Sequence, residues 1–268
     1  MPASVSVSVS ASVSVPAGSA APVLIIHTGD PIDELRQSYG SYAVQLQKAA
    51  GLHDDETEVV SVFQGQFLRE PDQYRAVLIT GSPTMVTDLV DWSERTAAWL
   101  RRAAEHGLPM FGVCYGHQLL SHAFGGKVGY NPAGRVAGTM VVTRHAVAAD
   151  EHLLRESPES FEAHMLHSQV VLEPPPGATV LASSTMDPNH MLRLAPNIFS
   201  AQFHPEFTGE FVRAHLAYYT EVYGKCGIDT AAMCAQVCET PQSAALLRRF
   251  LALHAPTGQI SATISAAI

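Results

Sequence analysis

The chain has 268 residues, 47% of them hydrophobic, and carries 16 basic against 25 acidic residues for a net charge of −9. That length can bury one substantial core, so one α/β domain is the expectation. The acidic balance excludes a nucleic-acid-binding face, which rests on clustered Lys and Arg.

Residues 1–22 (MPASVSVSVSASVSVPAGSAAP) are low in complexity and lack the basic start and leucine-rich run of a secretory signal. They read as a disordered leader, and no later stretch is long enough to span a bilayer. The folded part is expected over residues 23–255, with a frayed tail over 256–268. Val23–Ile26 is a continuous apolar run ending in Thr28-Gly29-Asp30-Pro31, the pattern of a buried strand and its turn. Helical spacing runs from Ile32 to Ala50 and stops at Gly51. Glu58–Phe63 and Tyr74–Thr80 predict two more strands, the second stopping at Gly81-Ser82-Pro83. Asp91–His106 is amphipathic, with Trp92, Ala97-Ala98, Leu100 and Ala104 on or near one stripe. Met110–Val113 is a fourth apolar strand leading straight into Cys114.

Buried strands alternating with helices predict a parallel sheet, and ligands on such sheets bind beyond the carboxyl ends of the strands. The Gly-bearing turns after the first, third and fourth strands are therefore expected to ring a pocket. Between Lys127 and Leu194 the pattern breaks into short extended pieces separated by Pro and Gly, which predict added antiparallel strands. Ile198–Phe203 returns to the core pattern and ends at His204-Pro205, and Thr208–His254 reads as mostly helical.

Four cysteines, at 114, 226, 234 and 238, suggest no disulfide framework and fit a reducing, cytoplasmic setting. Cys234 and Cys238 are spaced to share a helix face and read as small buried helix residues rather than metal ligands. No metal or cofactor is expected.

Gly112-Val113-Cys114-Tyr115-Gly116 between a buried strand and a helix has the form of a nucleophile elbow. Flanking glycines leave room for a tight turn, and the start of the helix favours thiolate and can hold an oxyanion. A thiolate attacking an amide needs a histidine to protonate the departing nitrogen and an acceptor to orient that histidine. Gln202-Phe203-His204-Pro205-Glu206-Phe207 follows a buried strand and supplies both groups.

Taken together, GVCYGHQLL, the ITGSP turn at Ile79–Pro83 and FHPEF resemble the class I glutamine amidotransferases, in family order over roughly Val23 to Phe250. The similarity is to the stand-alone type related to the amidotransferase domain of GMP synthetase. It implies a flavodoxin-like α/β fold, a mostly parallel twisted sheet flanked by helices with added antiparallel strands. It also implies a Cys114–His204–Glu206 triad, an oxyanion hole from the backbone N–H groups of Gly81 and Tyr115, and contact from Gln118 to bound glutamine. The reaction implied is hydrolysis of a glutamine side-chain amide through a cysteine thioester. Two stretches depart from the family pattern. His167-Ser168-Gln169-Val170 has Gln where Asp is usual, and Gly134-Arg135-Val136-Ala137-Gly138 has Val in place of Glu. Both are expected to border the pocket, with His167 in a substrate-lining or a structural role. The loss of two carboxylates bears on free glutamine as substrate, because its α-amino group favours a nearby anion. No glycine-rich phosphate loop is found, so ammonia would pass to a separate synthase partner. The first reading is a glutaminase supplying ammonia to such a partner. The alternative is a γ-glutamyl peptidase using the same triad, and a catalytically silent binding or regulatory protein is the third.

Overall fold

A computed structural model describes residues 21–256; the leader up to residue 20 and the tail from residue 257 lie outside the described residues. Strand β1 (Val23–His27) is apolar on both faces because both faces are covered. Val23 and Ile25 pack with Leu46, Leu246 and Phe250 on one side, while Leu24 and Ile26 pack with Trp99, Leu100 and Leu119 on the other. The strands that follow are β2 (Thr57–Ser61), β3 (Ala76–Ile79), β4 (Met110–Val113), β5 (Lys127–Tyr130), β6 (Val136–Arg144), β7 (Ser160–His167), β8 (Gln169–Glu173), β9 (Thr179–Ser183), β10 (Met191–Ala195) and β11 (Ile198–Ala201). Nine of them form one sheet in the order β2-β1-β3-β4-β11-β10-β9-β6-β7. From β2 to β11 all neighbours run parallel, and from β11 to β7 all run antiparallel.

The helices are α1 (Asp33–Tyr39), α2 (Tyr42–Ala50), α3 (Asp91–Glu105), α4 (Tyr115–Ala123), α5 (Gly209–Tyr218), α6 (Thr220–Gly224), α7 (Thr230–Gln236), α8 (Pro241–Ala244) and α9 (Leu246–His254). This is the mixed, mostly parallel sheet with flanking helices expected from the sequence. No helix among the described residues is long and apolar enough to cross a membrane.

Two expectations are corrected and one is sharpened. The single helix over Ile32–Ala50 is two: Gly40 adopts φ +88°, and the Ser41 hydroxyl accepts a bond from the Val44 N–H at 3.1 Å, starting α2 afresh. The buried stripe of α3 runs through Ser93, Thr96, Ala97, Trp99, Leu100 and Ala103, so Trp92 and Ala104 lie at its edges. Cys234 and Cys238 do not share a buried helix face. Helix α7 stops at Gln236, Cys234 is half-buried and Cys238 is exposed beyond it. Strands β5 and β8 form a separate two-stranded ribbon that carries Gln169 to the end of the sheet.

Candidate active site

Sheet order determines which residues meet. Because β3, β4 and β11 are adjacent and parallel, the segments leaving their carboxyl ends, at Gly81, Cys114 and His204, emerge side by side. They line a cavity of about 350 Å³ together with Asp30 and Pro31 from the turn after β1.

Cys114 sits at φ +50° and ψ −99°, a conformation that side-chain-bearing residues rarely adopt. Its flanking glycines are required by space. A Cβ on Gly112 would lie 2.4 Å from the Gly116 carbonyl oxygen, and one on Gly116 would lie 2.7 Å from the Ile79 carbonyl oxygen. The Cys114 N–H donates to Ala201 O at 2.8 Å, tying the elbow to β11. Tyr115 follows as the first residue of α4, where backbone N–H groups have no intrahelical acceptor. The Tyr115 ring is held by Trp92 and by a 2.7 Å bond between its hydroxyl and that of Ser93.

His204 is buried and fixed on several sides. Its N–H donates to His164 O at 2.8 Å, its ring stacks on Phe207 at 4.1 Å, and its Nδ1 lies 2.8 Å from Glu206 Oε1. The Nε2 atom is buried without a hydrogen bond. A Cβ placed on Gly81 would be 3.2 Å from His204 Cε1 and 3.7 Å from Cys114 Cβ, so the histidine and the cysteine close on one point. Burial lowers the pKa of His204, but the neighbouring Glu206 and Cys114 side chains outweigh it and raise the value to about 10.

The Gly81 turn is pinned from β1. Its carbonyl accepts bonds from the hydroxyls of Thr28 and Thr80, both at 2.9 Å, and Ser82 Oγ donates to Thr28 O at 2.7 Å. Gln118 lines the cavity, but both of its amide hydrogens are used, on Gln169 O at 2.7 Å and Gln202 Oε1 at 3.1 Å. His167 and Gln169 also line the cavity. Both ring nitrogens of His167 lack hydrogen bonds, and burial, with the neighbouring histidines, holds its pKa well below the ordinary range. Gln169 Nε2 donates to Thr87 at 2.6 Å while its Oε1 is buried and unpaired. Val136 is buried in the sheet and its neighbour Arg135 reaches the cavity wall instead.

Sequence reasoning missed the wall opposite in kind to these amides: Tyr42, Phe207, His215, Tyr219 and Tyr223. His215, Tyr219 and Tyr223 recur every four residues, a helical ladder that carried the signal.

A strained cysteine between a parallel strand and a helix, with a His–carboxylate pair across the cavity, marks an α/β protein with a tight strand–cysteine–helix turn at the carboxyl end of its sheet. The model of the family "Glutamine amidotransferase class-I" matches residues 35–217, and the chain belongs to that family. It is 29% identical over 186 residues to gamma-glutamyl peptidase 3 of Arabidopsis thaliana, covering 66% of this chain and 74% of that one. It is 34% identical over 131 residues to the glutamine-hydrolyzing GMP synthase of Aeropyrum pernix, covering 48% of this chain but 24% of the synthase. Among solved structures, a glutamine amidotransferase from Thermotoga maritima superposes with a TM-score of 0.70 at 18% identity, covering 87% of this chain and 97% of its own, which shows the shared fold.

Proposed function

We propose that the protein hydrolyses the γ-amide of a γ-glutamyl compound, with Cys114 as nucleophile, His204 as proton carrier and Glu206 as the group that orients His204. The observation that carries this reading is the forced elbow at Cys114 facing a buried, Glu206-paired His204. In the proposed reaction Cys114 Sγ attacks the side-chain carbonyl carbon and forms a C–S bond. The developing oxyanion is held by the backbone N–H groups of Gly81 and Tyr115; removing one such donor typically costs ~10²–10³ in rate. His204 gives its proton to the nitrogen, the C–N bond breaks and the amine leaves. Water, activated by the now neutral His204, then hydrolyses the γ-glutamyl thioester to glutamate.

Two substrates fit this chemistry. Free glutamine, releasing ammonia to a synthase partner, is favoured by the family match. γ-Glutamyl peptides are favoured by the relatives named gamma-glutamyl peptidase. The test is release of ammonia from glutamine and of amine from γ-glutamyl peptides by the purified chain. Cys114→Ala should lower either activity by ~10⁴-fold or more while leaving the circular dichroism spectrum unchanged. Activity retained in Cys114→Ala would overturn the assignment.

A further inference from the structure

Among the described residues, Arg135 is the one lysine or arginine on the cavity wall. Its guanidinium carbon lies 5.6 Å from the centre of the Tyr223 ring, and among the described residues it makes no ion pair or hydrogen bond. The other fixed charge on the wall, Asp30, is already engaged by His27 at 3.1 Å and Arg36 at 3.9 Å. Gln169, also on the wall, supplies no charge either. A cation left without an anion on the wall of a cavity is a carboxylate-binding element.

Its place relative to the chemistry follows from the packing. A run of rings leads from His204 through Phe207, Phe211 and His215 to Tyr223, on which Arg135 sits. Burial lowers the pKa of His215, and the charges of His204 and Arg135 both lower it further, so both act on the same imidazole. The Gln118–Gln169–Thr87 amide network belongs to other elements. In the proposed reaction the departing nitrogen takes its proton from His204, so whatever is bonded to that nitrogen leaves on the His204 side. Arg135 follows a turn in which Gly134 adopts φ +92° and its N–H donates to Asn131 O at 2.9 Å, just before β6 begins.

We infer that Arg135 binds a carboxylate on the amine half of the substrate, making the preferred class γ-glutamyl amino acids or peptides with a free carboxylate. This rests on the site being a γ-glutamyl amidohydrolase. The cavity, about 350 Å³, falls in the ~300–1,000 Å³ range of sites that enclose drug-sized ligands. Tyr219 and Tyr223 offer an aromatic surface for an apolar side chain on the leaving amino acid. Arg135 takes no part in bond making. The γ-glutamyl C–N bond breaks, water supplies hydroxyl to the glutamyl carbon, and a proton goes to the amine.

The experiment compares kcat/KM for γ-glutamyl-phenylalanine, its C-terminal amide γ-glutamyl-phenylalaninamide, and glutamine, in the wild-type chain, Arg135→Met and Arg135→Lys. The wild type should favour the acid over the amide. Arg135→Met should lose ~10–100-fold on the acid, the range for a charge-assisted contact, with the amide and glutamine changed less than about threefold. Arg135→Lys should recover part of the loss on the acid alone. Equal losses on all three substrates would overturn the assignment, since they would place Arg135 on the glutamyl half or in a structural role. No loss on any would overturn it as well. If the wild type turns over none of the three, the hydrolase reading itself fails. An unchanged thermal midpoint in Arg135→Met excludes unfolding as the cause.

Discussion

At the scale of single residues, Cys114 departs from ordinary backbone geometry with φ +50° and ψ −99°, and its neighbours explain how that geometry persists. Gly112 and Gly116 have no alternative, because a methyl group at either would strike backbone within 2.7 Å. Gly116→Ala would press on the Ile79 carbonyl of β3 and so push apart β3 and the elbow. We expect a loss of about 1–3 kcal/mol in folding stability by denaturant titration, the usual cost of overpacking, together with a large fall in activity. A Gly116→Ala protein of wild-type stability would contradict this picture of the elbow. This feature was legible in the sequence because it is local: five residues contain the strand end, the strained cysteine and both glycines. His204 and Glu206 were legible for the same reason. Arg135 was visible within its motif but had no role there, since nothing in the sequence says that Tyr223 lies beneath it.

At the scale of elements, the strands could be read where burial on both faces gave continuous apolar runs, as in β1, β3 and β4. Order in the sheet could not. β11 lies beside β4 although β5 to β10 intervene in the chain, and that pairing is what brings His204 to Cys114. The antiparallel half was foreseen in kind, while the β5–β8 ribbon was not, because its outer residues alternate weakly and β5 is exposed at both ends. The break between α1 and α2 was hidden for another reason. Apolar spacing carries across Gly40-Ser41, yet a positive φ at Gly40 and a fresh N-cap at Ser41 redirect the chain. Tyr42, at the start of α2, thereby reaches the cavity wall.

For the molecule as a whole, the buried histidines set the response to pH. Burial, as the leading cause, lowers His117 and His215 to about 3 and His164 and His190 to about 4, and holds His167 well below the ordinary value. Each is depressed relative to the unfolded chain, where histidine titrates near 6.5, so the unfolded state gains protons first as pH falls. Stability should therefore decline from about pH 6.5 toward pH 4, by up to about 1.4 kcal/mol per pH unit for each such histidine. His204 has the opposite sign. Its folded value near 10 lies above the unfolded one, so its contribution is complete below about 6.5 and is lost as pH rises through 10. Denaturant titrations across this range should show a steep acid limb and a shallower alkaline one. A flat profile between pH 4.5 and 6.5 would count against these histidines being neutral in the folded protein.

The central claim is that a γ-glutamyl group passes through Cys114, and a trapped intermediate tests it most directly. The full chain is mixed with a γ-glutamyl anilide, quenched in acid within the first turnovers, digested and weighed by mass spectrometry. The account predicts one γ-glutamyl addition on the peptide containing Cys114, absent from Cys114→Ala and accumulating in His204→Ala only slowly. Hydrolysis that continues in Cys114→Ala, or an adduct on another residue, would contradict it.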